Sequence, residues 1–215
     1  SDVYKRQGVA LWQPATKQQW HRVEWVGRGM SARLHPLVQE LLAEAGVTPS
    51  VLTGVALCTG PGSFTSLRLG LAAAEGLGLA LNIPVVGVGA FRLLLAAARA
   101  EMNDPATAYE IWLRSMAAEV YTARYGADGT CVRPPATHTM AESMALALAA
   151  GPAVVVGHGG LGVALPPGLA RAASTLDYPC PVCLAQQAAD DWARGVAGPV
   201  TLDYLKPLNY RQVRV

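Results

Sequence analysis

The sequence predicts an α/β protein built in two lobes, and three observations carry that reading. Val55–Cys58 and residues 83–89 are short apolar runs, each followed by a long helix-like stretch, Phe64–Leu81 and residues 90–101. Strand, helix, strand, helix is the order that builds a parallel sheet. Beyond a break at "NDP" (103–105), residues 109–113 and 120–125 read instead as an antiparallel pair. Finally, 52% of the 215 residues are hydrophobic and only 15% are charged. Such a chain can bury a large core, and its scarcity of polar surface makes a partner-facing patch expected.

The opening "SDVYKRQ" has neither strand alternation nor apolar character and reads as a non-native lead, residues 1–7. "GVALW" (8–12) is a strand, and "HRVEWVG" (21–27) is its hairpin partner, with Val23 and Trp25 alternating against polar neighbours. Ser31 is placed to cap a helix in which Leu34, Leu37, Val38, Leu41, Leu42 and Ala45 recur at helical spacing. Gly46 ends that helix, and Pro36 marks a kink or the true first turn. After the antiparallel pair come a helix near 141–150, a strand at 153–156 and a helix at 184–194. The lobes are then 8–104 and 105–200, and 201–215 is a C-terminal segment with a basic tail.

Charge and cysteine usage exclude several classes. The net charge is +2, and residues 203–215 hold Lys206, Arg211 and Arg214 against Asp203, so the remaining body is neutral. A neutral body does not grip a phosphate backbone unaided. The tail reads as a solvated terminus, with RNA or an acidic partner as the sharper alternative. Cysteines at 58, 131, 180 and 183 are too sparse for a disulfide scaffold, which implies a reducing compartment. No uninterrupted apolar run reaches membrane-spanning length, and the start has no apolar signal core; a cytoplasmic protein without a membrane partner is expected. "CPVC" (180–183) stands before a helix, as a redox pair or as ordinary loop cysteines, and one pair alone is no structural zinc site. The histidines at 21, 35, 138 and 158 include no pair four apart, and adjacent Asp190 and Asp191 read as a solvated face.

The most informative stretch is "TGPGSFTSLRLG" (59–70), between an apolar strand and a helix. It is not a Walker loop, because no lysine follows until Lys206. It is not a nucleophile elbow, because G-x-S-x-G is absent. A weaker anion site at the helix start stays open, beside a purely structural corner. In that corner Gly60 and Gly62 supply positive φ and Pro61 fixes the turn. Ser63 or Thr65 would cap the helix, and Phe64 would anchor the turn in the core. Inside the helix, Gly70, Gly76 and Gly78 each cost about 1 kcal/mol relative to alanine. Ser66, Gly70, Ala73, Ala74 and Leu77 share one face. That small-residue stripe fits close packing on the chain's own sheet or on a partner.

These residues carry a resemblance. "GPGSFTSLRLGLAAAEGLGLALNIPVVGV" (60–88) resembles the signature segment of the TsaB (YeaZ) family. "GVALW", "SARLHPLVQELLAEAG", "AAEVYTARY", "VVVGHG" and "LDYLKPLNYR" resemble flanking family segments in the family's order, so the resemblance spans roughly 8–212. It implies an actin-like (ASKHA, ribonuclease H-like) two-lobed fold. It implies an accessory subunit, not itself an enzyme, that pairs with a TsaD-like catalytic subunit and a TsaE-like ATPase. Together these form threonylcarbamoyladenosine at position 37 of tRNA from threonylcarbamoyl-AMP. Tight binding of ATP or metal is then expected in the partner subunits and not in this chain, and tRNA joins through the complex. The motif loop would be Gly60, Pro61, Gly62, Ser63, Phe64 and Thr65. The partner interface would be Leu34, Leu37, Leu41, Ser66, Gly70, Ala73, Ala74 and Leu77, and the same helices would pair two copies as a homodimer. The alternative is an actin-like-fold phosphotransferase or a glycopeptidase-type enzyme. The chain departs from the family in Ser66, where Gly is usual, in Met30, where His is common, and in Arg114, near the usual Asp. "SDVYKRQ" stands where an I-L-x-I-D-T-[AS] first strand with its phosphate-loop acid is usual.

Overall fold

The computed structural model describes residues 5–26, 29–102, 104, 106–115 and 119–205. The chain opens with an antiparallel hairpin, β1 (Lys5–Gln13) and β2 (Gln18–Val26), in which Val9 faces Arg22. The boundary expected at residue 7 therefore falls inside a strand. Gln7 is buried opposite Glu24, and the Arg6 guanidinium lies 5.2 Å over the Tyr178 ring. The alternation over 5–7 is hidden in the sequence because the buried position is a glutamine.

Helix α1 (Met30–Glu44) is capped by Gly29, whose carbonyl accepts from Ala32 and Arg33; Ser31 is already inside the helix and does not cap it. Pro36 lies within the helix. The C-terminus closes on Gly46 at φ +68°, with Gly46 N donating to Ala43 O and Val47 N to Leu42 O, both at 3.1 Å. This is the glycine-terminated ending that satisfies the last carbonyls. Arg33 ties α1 to the hairpin by bridging Glu24 and Glu40 at 2.5 Å each.

β3 (Val55–Cys58), α2 (Phe64–Leu81) and β4 (Val85–Val88) form the expected parallel unit, with Val55 facing Val85. α3 (Ala90–Met102) follows. Among the described residues no strand pairing joins the hairpin to this parallel pair. Both sheets instead rest on α5 (Pro181–Ala193), which also meets α3. α5 thus comes from the sequence assigned to the second lobe but covers strands of the first.

The second sheet has five strands in the order β7-β6-β5-β8-β9. They are β5 (Tyr109–Arg114), β6 (Glu119–Tyr125), β7 (Cys131–Thr139), β8 (Ala153–Val156) and β9 (Leu169–Arg171). Tyr109, Ile111 and Leu113 of β5 meet Phe91, Leu94 and Ala98 of α3. Trp112 packs on the opposite face with Ala147 of α4 (Met140–Ala149). A strand buried on both faces reads as a near-continuous apolar run, which is why β5 is recognisable in the sequence. β7 and β9 are not: β7 carries Pro134 and Pro135, tolerated because it is an edge strand.

Two charge clusters are built on buried carboxylates. Glu110, with no exposed surface, accepts from Arg124 at 3.0 Å, Arg133 at 2.6 Å and the Trp112 indole at 3.1 Å. Arg124 also donates to the carbonyls of Ala150, Gly151 and Pro152 at the end of α4. Asp191 corrects the expectation of a solvated face. It is 3% exposed and holds Arg92 of α3 at 2.5 and 2.7 Å and Arg194 at 2.8 Å. Only Asp190 is exposed. Asn103 and Pro105 of the lobe break, and Lys206, Arg211 and Arg214 of the basic tail, lie outside the described residues.

Candidate partner-binding surface and the glycine-rich turn

The turn between β3 and α2 is closed by the chain itself. Thr59 donates its hydroxyl to Asp203 Oδ2 at 2.8 Å, and Asp203 N returns a bond to Thr59 O at 2.9 Å. Gly60 O accepts from Ala90 N at 2.6 Å. Gly60 has φ +109°, and a Cβ there would stand 2.9 Å from Leu67, so glycine is required on both counts. The Gly60–Pro61 bond is cis, and Pro61 is buried. Gly62 does not take positive φ, contrary to the sequence reading. Ser63 occupies the cap position without a side-chain capping bond, and Thr65 is exposed in the first turn. Phe64 is half-buried and not a core anchor: its ring lies 5.4 Å from that of Tyr204, with the Arg68 guanidinium 5.0 Å above it.

This arrangement is a latch for the segment around Asp203 and Tyr204. The Thr59 hydroxyl and carbonyl are both engaged by Asp203, so the turn is tied to the chain's own C-terminal segment. Cys58, at the base of the turn, has its thiol pushed up to about 11 by burial, which suits a packing residue and not a nucleophile. Nothing local in the sequence announces Asp203 or Tyr204 as partners, since Thr59 and Asp203 are separated by 144 positions.

The expected interface residues divide. Leu37 (0% exposed), Leu41 (3%) and Ala74 (4%) are turned into this chain's own interior and are not available to a partner. Helical spacing identified a buried stripe, but the chain's own sheet is what covers it. Leu34, Ser66, Gly70, Ala73 and Leu77 remain half-exposed. The three helix glycines also separate. A Cβ at Gly78 would stand 2.5 Å from Val85 Cγ2, so this glycine serves the contact with β4. At Gly70 and Gly76 a Cβ would meet nothing within 4 Å. Leu79 on the same helix is 87% exposed. Only Ala74 and Gly78 of the helix are buried, and its mean hydropathy is 1.2 over 18 residues, long and apolar enough by composition alone to cross a membrane. Ser66 adds a buried hydroxyl with no hydrogen-bond partner.

Comparison with known proteins agrees with this architecture. A family model described as TsaD, tRNA N6-adenosine threonylcarbamoyltransferase, matches residues 24–174. The tRNA threonylcarbamoyladenosine biosynthesis protein TsaB of Escherichia coli K12 is 33% identical over 120 residues, which is 56% of this chain and 50% of that protein. The chain thus spans about half the length of that curated relative. A tRNA N6-adenosine threonylcarbamoyltransferase of Nitratidesulfovibrio vulgaris DP4 is 48% identical over 66 residues, 31% of this chain and 18% of that enzyme. A Pseudomonas aeruginosa crystal structure, described as similar to peptidase YEAZ, superposes with a TM-score of 0.73 at 27% identity, covering 94% of each chain. YeaZ from the same organism gives 0.69 at 26% identity, covering 92% of this chain and 94% of that one. With its actin-like α/β fold, the chain belongs to the TsaD-type family, as a TsaB (YeaZ) member.

Proposed function

We propose that this chain is a cytoplasmic accessory subunit in the formation of threonylcarbamoyladenosine on tRNA. It binds and activates a TsaD-type catalytic subunit and contributes no catalytic group of its own. A TsaE-type ATPase and the tRNA join through the complex, and ATP and metal belong to the partner subunits. The observation that carries this reading is α2. Two interior glycines on it, Gly70 and Gly76, weaken the helix by about 1 kcal/mol each while meeting nothing in this chain. Small residues that no internal contact requires, on a helix so apolar, suit the close approach of a second backbone. The stripe of Ser66, Gly70, Ala73 and Leu77 pairs two copies of the chain when the enzyme is absent.

The test is co-purification of the chain with a TsaD-type protein. The wild type is retained; Gly70→Arg, which the open position accommodates in the free chain, is lost. Ala145→Arg, on the exposed face of α4, is retained. Retention of Gly70→Arg would remove α2 from the interface, and failure of the wild type to bind would overturn the subunit reading. Tight ATP binding by the isolated chain would support the phosphotransferase reading instead.

A further inference from the structure

The geometry points to a second site: Cys180 and Cys183 form a reversible dithiol that exchanges with disulfide substrates at the N-terminus of α5. Cys180 is the cap residue of α5, and Pro181 is its first helical residue. Cys183 is therefore the third helical residue, where a side chain reaches back to the cap; positions three apart lie about 5–6 Å apart between Cβ atoms. Both cysteines are half-buried and neither is sealed in the core. The turn between them is held from behind, because a Cβ on Gly8 of β1 would stand 2.5 Å from Pro181 Cγ. A rigid backing, a proline-fixed turn and two thiols on one helical corner favour closing a bond between them over capture by a distant group.

The two thiols are unequal. The neighbouring Cys183, the Cys183 and Val182 N–H groups and nearby His21 hold the Cys180 thiol down, while Cys180 and burial drive Cys183 up. Cys180, at the cap position where the free N–H groups of the helix start favour a thiolate, is the attacking sulfur, and Cys183, one turn in, is the resolving one. Among the described residues no three of His, Cys, Asp and Glu are placed to hold a metal, so His21 does not complete a zinc site with the pair.

The step balances with a disulfide R–S–S–R as oxidant. The Cys180 thiolate attacks one sulfur, the S–S bond breaks and RS⁻ leaves. Cys183 gives its proton to solvent and attacks Cys180 Sγ, closing the internal disulfide and releasing the second RS⁻. Two electrons pass from the two cysteines to the substrate, which leaves as two thiols. A low-molecular-weight disulfide and a protein disulfide share this chemistry.

The test equilibrates the full chain in glutathione buffers of increasing oxidised fraction, quenches with acid, and maps the cysteines by mass spectrometry. Wild-type protein is expected to lose two thiols together and yield a Cys180–Cys183 linked peptide. Cys183→Ser is expected to trap glutathione on Cys180, and Cys180→Ser to trap none there. Exposed Cys131 is an internal reference: at pH 6.5 Cys180 is expected to alkylate faster than Cys131. Persistence of both thiols across the buffers, or glutathione accumulating on wild-type Cys180 without release, would overturn the proposal. Reduction of a model protein disulfide by the reduced chain would extend the substrate to proteins; glutathione alone reacting would confine it to small disulfides, and the site stands in both cases. The wild-type mapping decides the matter even if a variant fails to fold.

Discussion

Replacing each α2 glycine by alanine separates what the helix needs from what its surroundings need. In a helix interior the change is worth about 1 kcal/mol in favour of alanine, largely through the unfolded chain. At Gly70 and Gly76 the added methyl meets nothing within 4 Å. Each variant should therefore gain about 0.5–1 kcal/mol, a rise in Tm of roughly 2–4 °C per kcal/mol for a chain of this size. At Gly78 the methyl would stand 2.5 Å from Val85 Cγ2 and 3.1 Å from Ile83 O. Val85 is β-branched and stiff at χ1, and the carbonyl is backbone, so neither yields easily. Overpacking of this kind costs about 1–3 kcal/mol, which offsets or outweighs the helix gain and leaves a net loss of about 0–2 kcal/mol. Urea titrations of the three variants measure the differences directly. A Gly70→Ala variant as unstable as Gly78→Ala would refute the claim that this position faces open space. The consequence for binding runs the other way: the more stable Gly70→Ala chain should bind the TsaD-type partner less tightly, because the methyl intrudes on the close approach.

Other outcomes follow from the buried polar groups. Glu110→Ala leaves Arg124 buried without its carboxylate and should cost about 3–5 kcal/mol in equilibrium unfolding, with near-ultraviolet dichroism of Trp112 changing as well. Burial holds His158 down to about 4, against about 6.5 in the unfolded chain. The unfolded chain therefore binds more protons between those values, and stability should rise with pH from about 4 to 6.5 by up to roughly 3 kcal/mol. His158→Phe, which can keep the stack on Tyr178, should flatten that slope in thermal melts across the window. The Arg92 guanidinium holds Asp191 below the usual carboxylate range, so its stabilisation is present above pH ~3.9 and lost as pH falls further. Arg92→Met should move acid unfolding to higher pH. Ser66→Ala removes a buried hydroxyl without a partner and should stabilise by about 1 kcal/mol.

What was legible in the sequence follows the range of the forces involved. β3, α2 and β8 lie where local pattern placed them because their apolar runs end at glycine, proline or a cap within a few residues. β7 was illegible because its two prolines obscure the alternation, and only its edge position makes them tolerable. The strand over residues 5–7 is hidden in the sequence because its buried position is the polar Gln7. The candidate surface was half legible. Periodicity finds a face of small or apolar residues but not what covers it, so Leu37, Leu41 and Ala74 were grouped with Gly70 although the chain buries them itself. The Glu110–Arg124–Arg133 cluster and the Thr59–Asp203 latch join residues far apart in sequence, through strand register and chain path that no local pattern encodes.

The most direct measurement is reconstitution of threonylcarbamoyladenosine synthesis on tRNA, with a TsaD-type enzyme, a TsaE-type ATPase and threonylcarbamoyl-AMP, with and without this chain. Product should form only when the chain and the enzyme are both present, and Gly70→Arg should behave as though the chain were omitted. Equal product without the chain, or product from the chain in the absence of the enzyme, would contradict its assignment as a required, non-catalytic subunit.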